Sequence, residues 1–188
     1  MKYSCYLMLF FMSIFTSCGQ KVYQKKDYTF YNDVFTLNSN SALKTDGVYV
    51  LDHIWTNHNG GTSKKPREHR FYKFYKTGQS NLFLDADTII KSDEDYSNAV
   101  KKDNLERGNT LFEGYYKLEG ERIIIQSMVV PRKQFEYKYG YLENNTLVIV
   151  KATHEGNGKF DNKYFTDYYK EYYIFKPLKE VDSVIPKW

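Results

Sequence analysis

Hydrophobic and polar positions alternate along most of this chain with a period of two. Phe135, Tyr137, Tyr139 and Tyr141 alternate with Glu136 and Lys138, the pattern of a strand with one face buried. Asn144-Asn145 follows, and because asparagine tolerates positive φ the pair predicts a two-residue hairpin turn into a return strand over 146–152. Similar runs predict strands at 48–55, 70–75, 80–84, 111–118, 122–130 and 164–175, with turns at Thr77-Gly78 and Glu119-Gly120 and stops at Pro131 and Pro177. Residues 57–66 read as a loop.

One stretch departs from this rhythm. Ser92 is placed to cap a helix, Asp93, Glu94 and Asp95 fall in the first turn where the helix dipole favours anions, and Gly108 sits where a C-terminal cap belongs. The apolar content between them is thin (Tyr96, Ala99, Val100, Leu105), which predicts one short helix or a long ordered surface loop between 85 and 109. With no alternation of strand and helix, a parallel sheet is excluded. The expected class is all-β: about eight antiparallel strands, in a meander of hairpins that closes as a barrel.

The chain begins differently. Lys2 is followed by an uncharged, largely apolar run from Cys5 to Phe15 and then by Thr16-Ser17-Cys18-Gly19. The run is too short to span a bilayer, which takes roughly 20 apolar residues, and has the layout of a secretory signal. Phe15-Thr16-Ser17-Cys18 resembles the lipobox of bacterial lipoproteins, and Thr16-Ser17-Cys18-Gly19 is similar to lipoproteins of the Bacteroidota. The resemblance implies cleavage before Cys18, lipid on that cysteine and membrane anchorage. Gly19 and the basic residues Lys21, Lys25 and Lys26 resemble the segment of lipoproteins held at the outer membrane, facing the periplasm. The expected organisation is a signal peptide at 1–17, the lipidated Cys18 and a tether at 18–42, a barrel domain at 43–178 and a loosely held C-terminal tail at 179–188. Within the tether region, 28–37 is apolar enough to form a short docked segment.

Composition narrows the function classes. Of the two cysteines, Cys5 leaves with the signal and Cys18 is acylated, so the mature domain has no disulfide, thiol nucleophile or thiolate metal ligand. Lys2 is the only charged residue in 1–17, so the net charge falls only from +4 to +3, with no clustered basic stripe of the kind nucleic-acid binding requires. The 19 tyrosines and 13 phenylalanines suit pleated, half-buried surfaces and reinforce the β assignment.

The body also resembles the lipocalin-like barrels of small envelope lipoproteins, on Gly47-Val48-Tyr49 at its first strand, on Gly114-Tyr115-Tyr116 and on the meander itself. That resemblance implies a barrel over about 43–178 and assigns no ligand residue.

Candidate chemistry is sparse. His53, His58, His69 and His154 form no spaced metal motif, although the first three are placed to meet near one hairpin end. Asp85-Ala86-Asp87 and Asp93-Glu94-Asp95 lack calcium-loop spacing, and helix capping accounts better for the second group. Gly156-Asn157-Gly158-Lys159 lacks phosphate-loop spacing and reads as a hairpin loop. His154-Glu155 has no accompanying nucleophile or oxyanion donors. No catalytic, metal or cofactor site is expected. The expected function is non-enzymatic: an envelope lipoprotein binding a small apolar or sugar-like ligand in its barrel. The alternative is a structural lipoprotein contacting another envelope protein, with a hydrolase ranked behind both.

Overall fold

The computed structural model describes residues 25–58, 60–105, 112–129 and 134–186; the expected signal segment at 1–17 and Cys18 lie outside the described residues. The strands are β1 (Gly47–Thr56), β2 (Thr62–Lys64), β3 (His69–Phe74), β4 (Gln79–Asp85), β5 (Glu113–Glu119), β6 (Arg122–Val129), β7 (Gln134–Glu143), β8 (Thr146–Thr153) and β9 (Tyr169–Pro177). Among the described residues there is one α-helix, α1 (Asp93–Leu105), between β4 and β5. From β3 to β9 each strand pairs antiparallel with the next, β3 pairs with β1, and β9 returns to β1 from Gly47↔Pro177 to Thr56↔Tyr169. The result is a closed eight-stranded barrel of β1 and β3–β9, as the hairpin meander predicts.

β2 stays outside the ring and pairs only with the end of β1, Ile54↔Lys64 to Thr56↔Thr62. All three of its residues are exposed, so it carries no buried alternation and reads as loop from sequence. The last strand starts at Tyr169, later than 164, because Asn162–Tyr164 form a 3₁₀ turn first.

The two ends of the barrel differ. At one end the strands are joined by tight turns at Thr77-Gly78, Gly120-Glu121 and Asn144-Asn145. Both asparagines have positive φ (46° and 65°), as a two-residue hairpin requires. At the other end lie the long connections 57–68, 86–112 and 154–168. A β-bulge shifts the register of β1 between Leu51 and His53, so the inward face passes from Tyr49 and Leu51 to Ile54.

The half with tight turns is filled. Tyr49, Phe74, Tyr116, Ile123, Leu142 and Leu147 pack across the interior, and Phe35, Leu37 and Leu43 from the segment before β1 close that end. Gly47 lies at the seam, where a Cβ would meet the Lys176 carbonyl oxygen at 2.1 Å, so only glycine lets β1 and β9 close there.

The outer wall is covered twice. Residues 28–31 and the β8–β9 connection bury an aromatic layer on β5–β8 that includes Tyr115, Tyr137 and Tyr139. Gln126, fully buried, fixes this strap: its Oε1 accepts from the Phe30 amide at 3.0 Å, and its Nε2 donates to Thr29 Oγ1 at 2.9 Å. On the opposite side α1 and the C-terminal segment cover Val48 and Phe71. Leu178 and Val181 are buried there, and an ion pair from Lys76 to Asp182 at 2.7 Å holds the segment that follows β9.

Candidate functional site

The alternation that fills one half of the barrel with apolar side chains delivers charges to the other. Arg70 on β3, Lys138 and Glu136 on β7 and Glu171 on β9 share the inward face with Tyr72 and Tyr173. Arg70 Nη2 lies 2.6 Å from Glu171 Oε1. The Tyr169 hydroxyl donates to the same oxygen at 2.6 Å, and the Tyr173 hydroxyl to Oε2 at 2.7 Å. Beside them Lys138 Nζ donates to the Tyr72 hydroxyl at 3.1 Å and lies 3.5 Å from Glu136.

The charges are balanced and only partly wet. Side-chain exposure is 21% for Arg70, 13% for Glu171 and 18% for Lys138. Burial pushes the Tyr173 hydroxyl well above its ordinary pKa and also raises Tyr169, with the neighbouring Glu171 carboxylate adding to each. Burial works to lower Lys138, but Tyr72, Glu136 and Glu171 together hold it above its ordinary value. The buried Nε of Arg70 has no hydrogen-bond partner among the described residues. The Arg70 side chain borders a cavity of about 240 Å³ lined also by Ile54, Pro66, Arg67 and Glu68. The arrangement offers a donor fork, two balanced ion pairs and tyrosine hydroxyls at the open end, suited to a polar ligand.

The histidines do not converge. His53 Nδ1 is 2.7 Å from Asp52 Oδ2, and its ring stacks on Tyr172 with centroids 4.3 Å apart. His58 lies exposed in the turn after β1, and His154 Nδ1 donates to the Phe135 carbonyl at 3.0 Å. His69 is held between Asp85 Oδ2, 3.0 Å from Nδ1, and the Tyr96 hydroxyl, 2.7 Å from Nε2. Tyr96 is buried edge-on against Phe71, so this chain ties α1 to the barrel wall. Among the described residues, no group of three His, Cys, Asp or Glu is placed to hold a metal ion.

The acidic segments have local roles. Burial pushes the Asp85 pKa up, but the amides of Ile89 and Ile90, with His69, hold it below the ordinary carboxylate value. Asp95 Oδ2 accepts from the Ser92 amide at 2.8 Å while Ser92 Oγ accepts from the Asp95 amide at 3.1 Å, a reciprocal cap at the start of α1. Gly156–Gly158 is a 3₁₀ turn in the β8–β9 connection.

Reading the sequence alone misses the Arg70, Lys138 and Glu171 group, which the alternation could have flagged as charges within strands. The alternating aromatics Tyr137, Tyr139 and Tyr141 do not line the interior; they belong to the outer aromatic layer. Comparison with protein-family models, curated proteins and solved structures finds no match.

Proposed function

We propose that this chain is a non-enzymatic envelope lipoprotein, anchored through Cys18, whose barrel binds a small polar, sugar-like ligand at its open end. The closed barrel is compatible with ligand binding, and the observation that carries the finer reading is the inward-facing group around Arg70 and Glu171. Paired charges and tyrosine hydroxyls in a half-dry recess suit a ligand that presents several hydroxyl or carbonyl groups. An apolar ligand is disfavoured because Tyr49, Phe74 and Tyr116 already fill the apolar half.

The test is native mass spectrometry of the purified mature protein beside the double variant R70M/E171L, which removes both charges together. A bound small molecule on the wild type that the variant lacks supports the site. A ligand retained by the variant, or no saturable binding across a panel of mono- and oligosaccharides, refutes it.

The filled apolar half supports a second reading, a structural lipoprotein contacting another envelope protein. A groove of about 700 Å³ between α1 and the C-terminal segment, lined by Asp93, Glu94, Lys101 and Glu180, is the surface for pull-down from envelope extract to probe.

A further inference from the structure

We propose that the open end of the barrel rests against the headgroup region of a bilayer, so that its ligand enters from the membrane side. The inference rests on the anchor at Cys18 and deepens the reading of the site. It starts from where the chain enters the fold. The Tyr28 hydroxyl donates to the Glu113 carbonyl at 3.4 Å, and its ring packs on Phe135 with centroids 5.2 Å apart. Glu113 begins β5, and Phe135 lies beside the start of β7, both at the open end. From Tyr28 the strap runs along the outer wall to the closed end, where the Leu37 amide donates to the Lys76 carbonyl. Between Cys18 and Lys25 lie seven residue steps, a reach of at most roughly 25 Å. The anchor therefore pulls on the open end.

The surface there fits an interface. Of the seven exposed large apolar side chains among the described residues, four lie at this end: Ile89, Phe112 and Tyr168 in the connections, and Leu84 at the mouth, opposite Arg70 on the inward face. Tyr168 is 72% exposed, and its carbonyl accepts from the Asn57 amide at 2.9 Å, which sets it beside the end of β1 where Trp55 lies. Aromatic rings with a polar edge collect at headgroup level for this reason. Lys64, Lys65 and Arg67 are exposed in the neighbouring connection, and Lys25 and Lys26 are exposed where the chain enters the fold. Glu68, Asp87, Glu155, Asp161 and Asp167 are exposed at the same end and offset this charge, so the apolar side chains carry the contact.

The experiment uses the acylated mature protein in vesicles of brominated phosphatidylcholine and phosphatidylglycerol. In one version, W188F leaves Trp55 as the sole tryptophan. In the other, W55F/W188F/E119W places the reporter at the closed end. The expected result is loss of most Trp55 emission and little change at position 119. Quenching at 119 alone, or at neither position in protein that mass spectrometry shows to be acylated, overturns the orientation and leaves the anchor intact. A mature mass without acyl chains overturns the anchor and the orientation with it. Ligand loss in R70M/E171L bears on the recess alone, so the failures are separable.

Discussion

Arg70 and Glu171 meet inside the barrel at 2.6 Å although they stand 101 residues apart on strands that do not pair with each other. β1 runs between β3 and β9, and the pair spans it on the inner face. Two tyrosine hydroxyls complete the carboxylate's shell. Removing one partner leaves the other charge poorly solvated, whereas removing both does not. E171Q is therefore expected to destabilise the fold by about 3 kcal/mol, and R70M/E171L by less, about 1–2 kcal/mol, because the Tyr169 and Tyr173 hydroxyls lose their acceptor. Urea unfolding followed by circular dichroism distinguishes the two.

Lys73 gives a prediction in pH. Its side chain is buried on the outer wall, where Nζ donates to the Thr45 carbonyl, and burial lowers its pKa to about 8. An unfolded lysine titrates near 10.4. Between these values the unfolded state binds more protons than the folded one, so this group's contribution to stability rises with pH; below pH 8 the full penalty of a buried charge is present. Relative to K73M, wild-type stability is expected to rise by roughly 1.4 kcal/mol per pH unit above pH 8. A flat difference from pH 7.5 to 9.5 in urea midpoints excludes it.

Gly47 tests the seam. A Cβ there meets main-chain atoms of the opposing strand, the Lys176 carbonyl oxygen at 2.1 Å and Pro177 Cα at 2.8 Å, which cannot swing aside as a side chain would. G47A is expected to cost about 1–3 kcal/mol and to speed hydrogen exchange at Tyr49 and Phe175 before other strands.

Gly158 tests the strap. Its φ is +66°, and a Cβ would lie 2.2 Å from Phe30 Cζ. G158A is expected to expel Phe30 from the outer aromatic layer and raise exchange at the Phe30 amide, which otherwise donates to Gln126. Unchanged exchange there refutes the coupling.

Much of the architecture was legible from local signals. The turn at Asn144-Asn145, the cap at Ser92 and the strand alternation all act within a few residues; the structure forms the turn and the cap where the pattern predicts, and the strands with shifted ends, the last starting at Tyr169. β2 was invisible because three exposed residues bury nothing. The candidate site was not legible: Arg70, Lys138 and Glu171 stand in three separate strands, and a charge within a strand reads equally well as facing water.

The clearest example is β7. Its alternation states that Phe135, Tyr137, Tyr139 and Tyr141 share one face and Glu136, Lys138, Gly140 and Leu142 the other. The order of residues dictates that partition, because successive side chains on a strand must point to opposite sides. It could not determine which side was inside. The tertiary structure turned the aromatic face outward: the inward Gly140 approaches so closely that a Cβ would meet the Val148 carbonyl oxygen at 2.4 Å, while the strap at 28–31 and the β8–β9 connection cover the rings from outside. An eight-stranded barrel has interior room only for side chains that fit, and the remaining apolar surface is kept from water by the chain folding back over its own wall.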